Sequence, residues 1–337
     1  MKAIVLNKTG GPELLVTTDV KQPKAERGEV GIEIEYIGIN YAEILSRKGL
    51  YGWAGKRPYI LGMEASGVIN ELGEEVSKFH IGQKVIVGTK NGTYAEKIVV
   101  PQECVSPILE NYTMEENAAF LVNYMTAWVS LVKMAKISPG DKILITAAAG
   151  GVGTAAVQIA TRYGCSVYGM AGSEEKIDLI KSLGASDGYN YRDKDCFRSL
   201  LEDTGGIDVV LEMVGGQVYK SSLDIVNPFG RVVVAGFASL DLKKWNPVSW
   251  IKTWRDIPRV KVGDLAKESI AVMSSHLGYL LEEEPAQMED ILNDLKKFIE
   301  KHQIKPIIGK VFSFNDAPEA HKYIESRKSF GKVLLKI

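Results

Sequence analysis

The apolar positions of this chain change their period twice along its length. From Glu29 to Ile39, Val30, Ile32, Ile34 and Tyr36 fall on one face and Glu33 and Glu35 on the other, the alternation of a half-buried strand. Further short strands are predicted over Ala65–Leu72, Lys84–Val87 and Tyr94–Val100. The turn signals Gly73, Gly82 and Asn91-Gly92 separate them. Strands at this spacing make a small β-rich domain. Near Tyr124 the pattern changes. Ile143–Ile145, Val167-Tyr168, Val209–Leu211 and Val232–Val234 are brief apolar runs, and helical spacing runs over Val152–Tyr163 and over Glu174–Leu183. Strands alternating with helices imply βαβ units and a parallel sheet. After about Glu282 the pattern shifts again, to a helix over Pro285–His302, a strand near Ile307–Phe312, a helix over Ala317–Ser326 and a last strand over Lys332–Ile337.

The first of the apolar runs leads into Ala147-Ala148-Ala149-Gly150-Gly151-Val152-Gly153 and then a helix. Glycine at such a turn lets the backbone approach a pyrophosphate, whose charge then sits at the helix N-terminus. The placement after a strand, before a helix and inside a βαβ unit is what gives this signal weight. Two registers fit: Ala148-x-Gly150-x-x-Gly153 or Gly151-x-Gly153-x-x-Ala156. The second strand ends Met170-Ala171-Gly172-Ser173, without the acid that an NAD-preferring site places there for the ribose 2′-hydroxyl. Ser173 and Lys176 stand there instead and suit a 2′-phosphate, so the expected cofactor is NADPH.

Composition narrows the partners. Forty-one Lys and Arg balance 42 Asp and Glu, so no field favours nucleic acid. The three cysteines are far apart and form no disulfide framework or Cys-x-x-Cys zinc site. No apolar run reaches transmembrane length, and the N-terminal strand Met1–Leu6 turns polar too soon for a signal peptide. A reducing cytoplasm is the simplest setting.

Several segments together resemble the medium-chain dehydrogenase/reductase superfamily, and within it the zinc-free quinone oxidoreductases. They are Gly38–Glu43 with Arg47-x-Gly49-x-Tyr51, Leu61–Val68, Val122–Ala127, the glycine turn in its Ala148-x-Gly150-x-x-Gly153 register, and the tail Ser326-Arg327-x-x-x-Gly331–Leu335. Ser275–Leu280 and His302-x-Ile304-Lys305-Pro306 are similar to the C-terminal sequence of the vesicle amine transport protein 1 (VAT-1) group. The resemblance implies an α/β fold: a doubly wound, parallel-sheet Rossmann domain over 125–281 and a GroES-like, β-rich catalytic domain split between 1–124 and 282–337. It implies cofactor contacts at Asn40, Thr126, Gly150, Gly151, Val152, Gly172, Lys176, Tyr191, Phe237 and Arg327. Tyr191 would lie near the adenosine phosphate and Phe237, after a Val232–Gly236 strand, near the nicotinamide. It also implies a homodimer paired through an edge strand, for which Ser269–Ser274 is the candidate.

Zinc-dependent relatives need clustered ligands that this chain lacks. Asn40-Tyr41 and Met63 stand at ligand positions, and Glu64 alone cannot bind catalytic zinc. No metal is therefore expected, and Glu64 reads as a structural carboxylate. The chemistry left is hydride transfer to an acceptor activated by conjugation, a quinone or an α,β-unsaturated carbonyl. Asn40, Tyr51 and Asn123 are the candidate donors to the acceptor oxygen, with Tyr51 or solvent as the proton source. The alternative is an NADPH-binding adaptor or lipid-handling protein with little turnover. It rests on Lys243–Arg255, whose basic residues and tryptophans suit weak contact with a membrane surface.

Overall fold

The computed structural model describes residues 1–238, 249, 251, 256–257 and 259–337. The Lys243–Arg255 segment lies outside the described residues except for Ser249 and Ile251. Among the described residues no helix is long and apolar enough to cross a membrane.

The chain forms two compact units, 1–123 with 296–337, and 124–295. The second boundary falls inside the helix Pro285–His302, later than the break after 281 that the change of period marks. The physical reason is that one helix serves both units. Asp294 pairs with Lys133 of the second unit, whereas Lys296 donates to Ser106 Oγ and the Pro107 carbonyl of the first.

The first unit is built on a seven-stranded mixed sheet in which Glu29–Ile39 is the hub. It pairs antiparallel with Glu64–Leu72, Lys97–Pro101 and Lys332–Lys336. Val30, Ile32 and Ile34 are buried and Glu33 is exposed as the alternation expects, but Gly31 is buried too, and Ile37, Gly38 and Ile39 are all buried where the helix Met114–Ala118 packs on the strand. Ile4, Ile32, Ile37, Leu61, Val85, Phe314 and Leu335 belong to the core beneath. The predicted strand Tyr94–Val100 is instead a change of partner. Tyr94 O accepts from Ile4 N, and only Lys97–Pro101 joins the main sheet. The C-terminal strand Lys332–Lys336 returns beside Ile39, which brings the two ends of this split unit together.

The second unit is a six-stranded, wholly parallel sheet. Its order is Asp187–Asn190, Ser166–Ala171, Lys142–Ile145, Ile207–Glu212, Val226–Val234, Ala271–Ser274. The order reverses beside Lys142–Ile145, and in open α/β sheets ligands bind past the carboxyl ends of the strands at such a switch point. The fold is thus the predicted α/β pairing of a Rossmann sheet with a β-rich domain. The strand before Phe237 ends at Val234 rather than Gly236: the last ladder bond runs from Ala235 N to the Glu212 carbonyl, and beyond it Ala238 N donates to the Met213 carbonyl outside the strand register.

Candidate active site

The glycine turn occupies the switch point of the second unit. Ala147 takes a left-handed φ of 49°, and Ala148 N reaches the Met170 carbonyl at 2.9 Å. Gly150 caps the helix Gly151–Arg162 in an extended conformation. A Cβ on Gly153 would lie 2.4 Å from the Ala147 carbonyl oxygen. That is the close helix-on-strand packing which the last glycine of the motif allows, so the register is Ala148-x-Gly150-x-x-Gly153. The N–H groups of Gly151, Val152 and Gly153 precede the first intrahelical bond, from Thr154 N to the Gly150 carbonyl at 2.8 Å. They are the donors a pyrophosphate would take.

At the end of the second strand, a Cβ on Gly172 would lie 2.6 Å from the Tyr191 hydroxyl, so the tyrosine ring closes over the glycine. Ser173 caps the helix Glu174–Ser182, whose first turn carries Lys176. Burial pulls the Lys176 ammonium below its usual range, and the Arg192 guanidinium pulls it down further, against Glu175. Lys176 and Arg192 are thus near enough to repel each other, at a strand end where no acid follows Ala171 directly. Arg192 was not legible as a site residue, although its place next to Tyr191 at the end of the third strand was the available signal. Thr126 lies half-buried on the helix Leu121–Trp128, and Phe237 packs against the core of this unit.

A buried carboxylate that sequence reasoning missed stands at the end of the fourth strand. Glu212 is fully buried and accepts from Val214 N at 2.8 Å, from Gly215 N at 2.9 and 3.0 Å, and from Thr146 Oγ1 at 3.4 Å. It shapes a turn whose Gly215 and Gly216 have φ of 84° and 60°.

In the first unit Asn40 caps the helix Tyr41–Lys48. Its N–H donates to Glu43 Oε2 at 2.6 Å, and Met63 N donates to Glu43 Oε1 at 3.1 Å. Glu43 thereby ties the first family-like segment to the second. Lys332 Nζ donates to Asn40 Oδ1 at 2.6 Å and, in a very short contact, to Glu64 Oε1. Glu64 Oε2 accepts from Val122 N at 2.9 Å. All three charged groups are buried. Burial pushes the Glu43 carboxyl up to about 7, partly offset by Lys332. Asn123 is buried with its amide 3.5 Å from the Ala119 carbonyl. Tyr51 is half-buried and meets Trp53 edge to face at 6.4 Å, with Lys90 Nζ 5.0 Å from the Trp53 ring. Arg327 follows the helix Ala317–Glu325 with a φ of 59°. The structure therefore joins Asn40 and Glu64 in one cluster with Glu43 and Lys332, two residues without a role in the sequence analysis.

The signature of the alcohol dehydrogenase GroES-like domain matches residues 26–110, and that of the zinc-binding dehydrogenases matches residues 151–294. The human synaptic vesicle membrane protein VAT-1 homolog is 32% identical over 99% of this chain and 86% of its own length. A pig quinone oxidoreductase is 30% identical over 99% of this chain and 97% of its own. The crystal structure of Escherichia coli quinone oxidoreductase complexed with NADPH superimposes with a TM-score of 0.89 at 27% identity, covering all of both chains. The chain belongs to the medium-chain dehydrogenase/reductase superfamily, in the company of its VAT-1 homologues and quinone oxidoreductases.

Proposed function

We propose that this oxidoreductase uses NADPH and passes hydride, without zinc, to a quinone or an α,β-unsaturated carbonyl. The observation that carries the cofactor half is the Lys176–Arg192 pair beside Tyr191 where an NAD site has its acid. These residues fit the cofactor: the turn from Gly150 to Gly153 takes the pyrophosphate, and Ser173, Lys176 and Arg192 take the 2′-phosphate. Thr126, Gly172, Tyr191, Phe237, Arg327 and Asn40 complete the proposed contact set.

The donor set of the first unit does not fit a zinc ion. Asn40 Oδ1 and Glu64 Oε1 are already held by the Lys332 ammonium, and Met63 is a poor ligand for zinc. A second cation beside a buried ammonium would be repelled. With no metal to polarise an isolated carbonyl, conjugated acceptors are favoured, because charge spreads into an enolate or hydroquinone anion. Bound NADPH supplies the hydride and becomes NADP⁺. Asn40, Asn123 and Tyr51 supply donors to the developing oxyanion, and Tyr51 or solvent the proton that completes the reduced product. The strand Ala271–Ser274 supports a homodimer, since among the described residues it pairs with Val226–Val234 on one side and is the last strand of the sheet.

The test is binding followed by turnover. NADPH should bind more tightly than NADH, and Lys176→Ala and Arg192→Ala should each remove much of that gap, about 1.5–3 kcal/mol for a charged hydrogen bond. A screen of quinones, enones and enals should then find an acceptor, with negligible oxidation of simple alcohols. Loss of a true oxyanion donor in Tyr51→Phe or Asn123→Ala should slow it on the order of 10²–10³-fold. Equal affinities for the two cofactors would overturn the NADPH assignment. Tight NADPH binding with no turnover across the screen would favour an adaptor role instead.

A further inference from the structure

The buried cluster of the first unit contains a group for which hydride transfer has so far found no use. Lys332 is 2% exposed, and its side chain threads between Glu64 and the strand that ends before Asn40. Room for it exists only because residue 38 is glycine. A Cβ there would lie 2.7 Å from Glu64 Cγ and 2.8 Å from Lys332 Cε. An ammonium buried this deeply is retained only when paired and hydrogen-bonded, and here both requirements are met by Glu64 and Asn40.

The chemistry of the ammonium fixes the amide. An ammonium carries three donors and no acceptor, so the atom that Asn40 turns toward it must be Oδ1. Nδ2 is then forced to the opposite side. It has only long contacts there, 3.4 Å to the Gly38 carbonyl and 3.4 Å to Glu43 Oε1. Two N–H bonds of this amide are therefore weakly used, and their direction is set by a residue at the other end of the chain.

We propose that Lys332 is a positioning residue for hydride transfer: anchored on Glu64, it takes the Asn40 oxygen and so presents the Asn40 NH₂ as the donor to the acceptor's developing oxyanion. The proposal rests on the function argued above and adds a residue and a direction of action to it. Lys332 touches neither acceptor nor cofactor and acts through Asn40.

A double-mutant cycle on the full-length protein tests this, using an acceptor found in the screen. Lys332→Met alone leaves Glu64 charged and buried, so the Glu64→Gln/Lys332→Met pair serves as the neutral background that keeps the fold. With Asn40 present, that pair should lower kcat roughly 10- to 100-fold, the equivalent of one charged hydrogen bond, with little change in acceptor KM. In an Asn40→Ala background the same pair should change kcat less than about twofold, because contacting residues that act as a unit are not additive. Full, additive losses in both backgrounds would overturn the proposal and leave Lys332 a structural residue. An unchanged kcat with Asn40 present would overturn it as well. A wild-type protein that turned over no acceptor would sink the functional reading, and the proposal with it, an outcome distinct from either of those.

Discussion

The two units bury their carboxylates by opposite means. In the second unit no cation among the described residues pairs with Glu212. Desolvation raises its carboxyl, and the N–H groups of Val214 and Gly215 with the Thr146 hydroxyl offset part of that. In the first unit Glu43 and Glu64 share one ammonium, Lys332, with Glu64 in direct contact and Glu43 one amide away. The difference teaches what each carboxylate is for. Backbone donors lie within three residues of Glu212, so its work is to shape one local turn. The Lys332 cluster spans three strands and a helix cap, so it fixes segments that are remote in sequence.

The largest effect that separates the two arrangements is removal of the cation. Lys332→Met strips Glu64 and Asn40 Oδ1 of their partner without restoring water. Breaking a buried pair on one side costs about 3–5 kcal/mol. The Glu64→Gln/Lys332→Met pair should recover most of that loss in urea unfolding, since neutral replacement of both partners is often tolerated. Equal midpoints for the single and double variants would show that the ion pair is not what holds these segments. At Glu212 the smaller change Glu212→Gln keeps one acceptor oxygen and replaces the other by a donor that faces N–H groups. That should cost about 1–3 kcal/mol and should not be rescued by a charge change at any described residue, because none of these is a charge partner of Glu212. Rescue by a distant charge substitution would erase the contrast.

The same contrast explains what was legible in the sequence. The glycine turn, the parallel strands and the missing acid after Ala171 are local patterns, and local patterns show directly which residues neighbour each other. The register of the turn needed the structure, because only the fit of Gly153 against Ala147 decides between two spellings of one motif. Lys332 meets Asn40 across 292 residues of chain, and nothing at either position announces the other. Glu64 stood in a family-like segment and was read as structural, but its partner was hidden for the same reason. Arg192 was hidden more shallowly, one residue beyond Tyr191. Glu212 directly follows the apolar run Val209–Leu211, and nothing in that run announces that the strand end is covered. The tryptophan-rich Lys243–Arg255 stretch drew attention by composition alone, which fixes no position in the fold.

The smallest effect is a slope rather than a loss, and it isolates Glu43. The groups that face it are Lys332, Glu64, Tyr59 and Tyr94. Burial raises its carboxyl from the ordinary 4.5 to about 7. Between those values the folded state keeps a proton that the unfolded chain has released. Stability therefore falls as pH climbs through that window, since stability rises with pH only where the unfolded state binds more protons. His321 acts in the opposite sense. Burial and Arg47 lower its imidazole from 6.5 to about 3, so its contribution is lost as pH falls. The wild-type profile mixes the two slopes, and the difference between wild type and Glu43→Gln removes the histidine from the comparison. Urea midpoints measured from pH 4.5 to 8 should shift in favour of Glu43→Gln up to about pH 7 and keep a constant gap above it. Parallel profiles across that range would mean that Glu43 titrates like a solvated carboxylate, and the first unit's cluster would then be no less open to water than an ordinary surface pair.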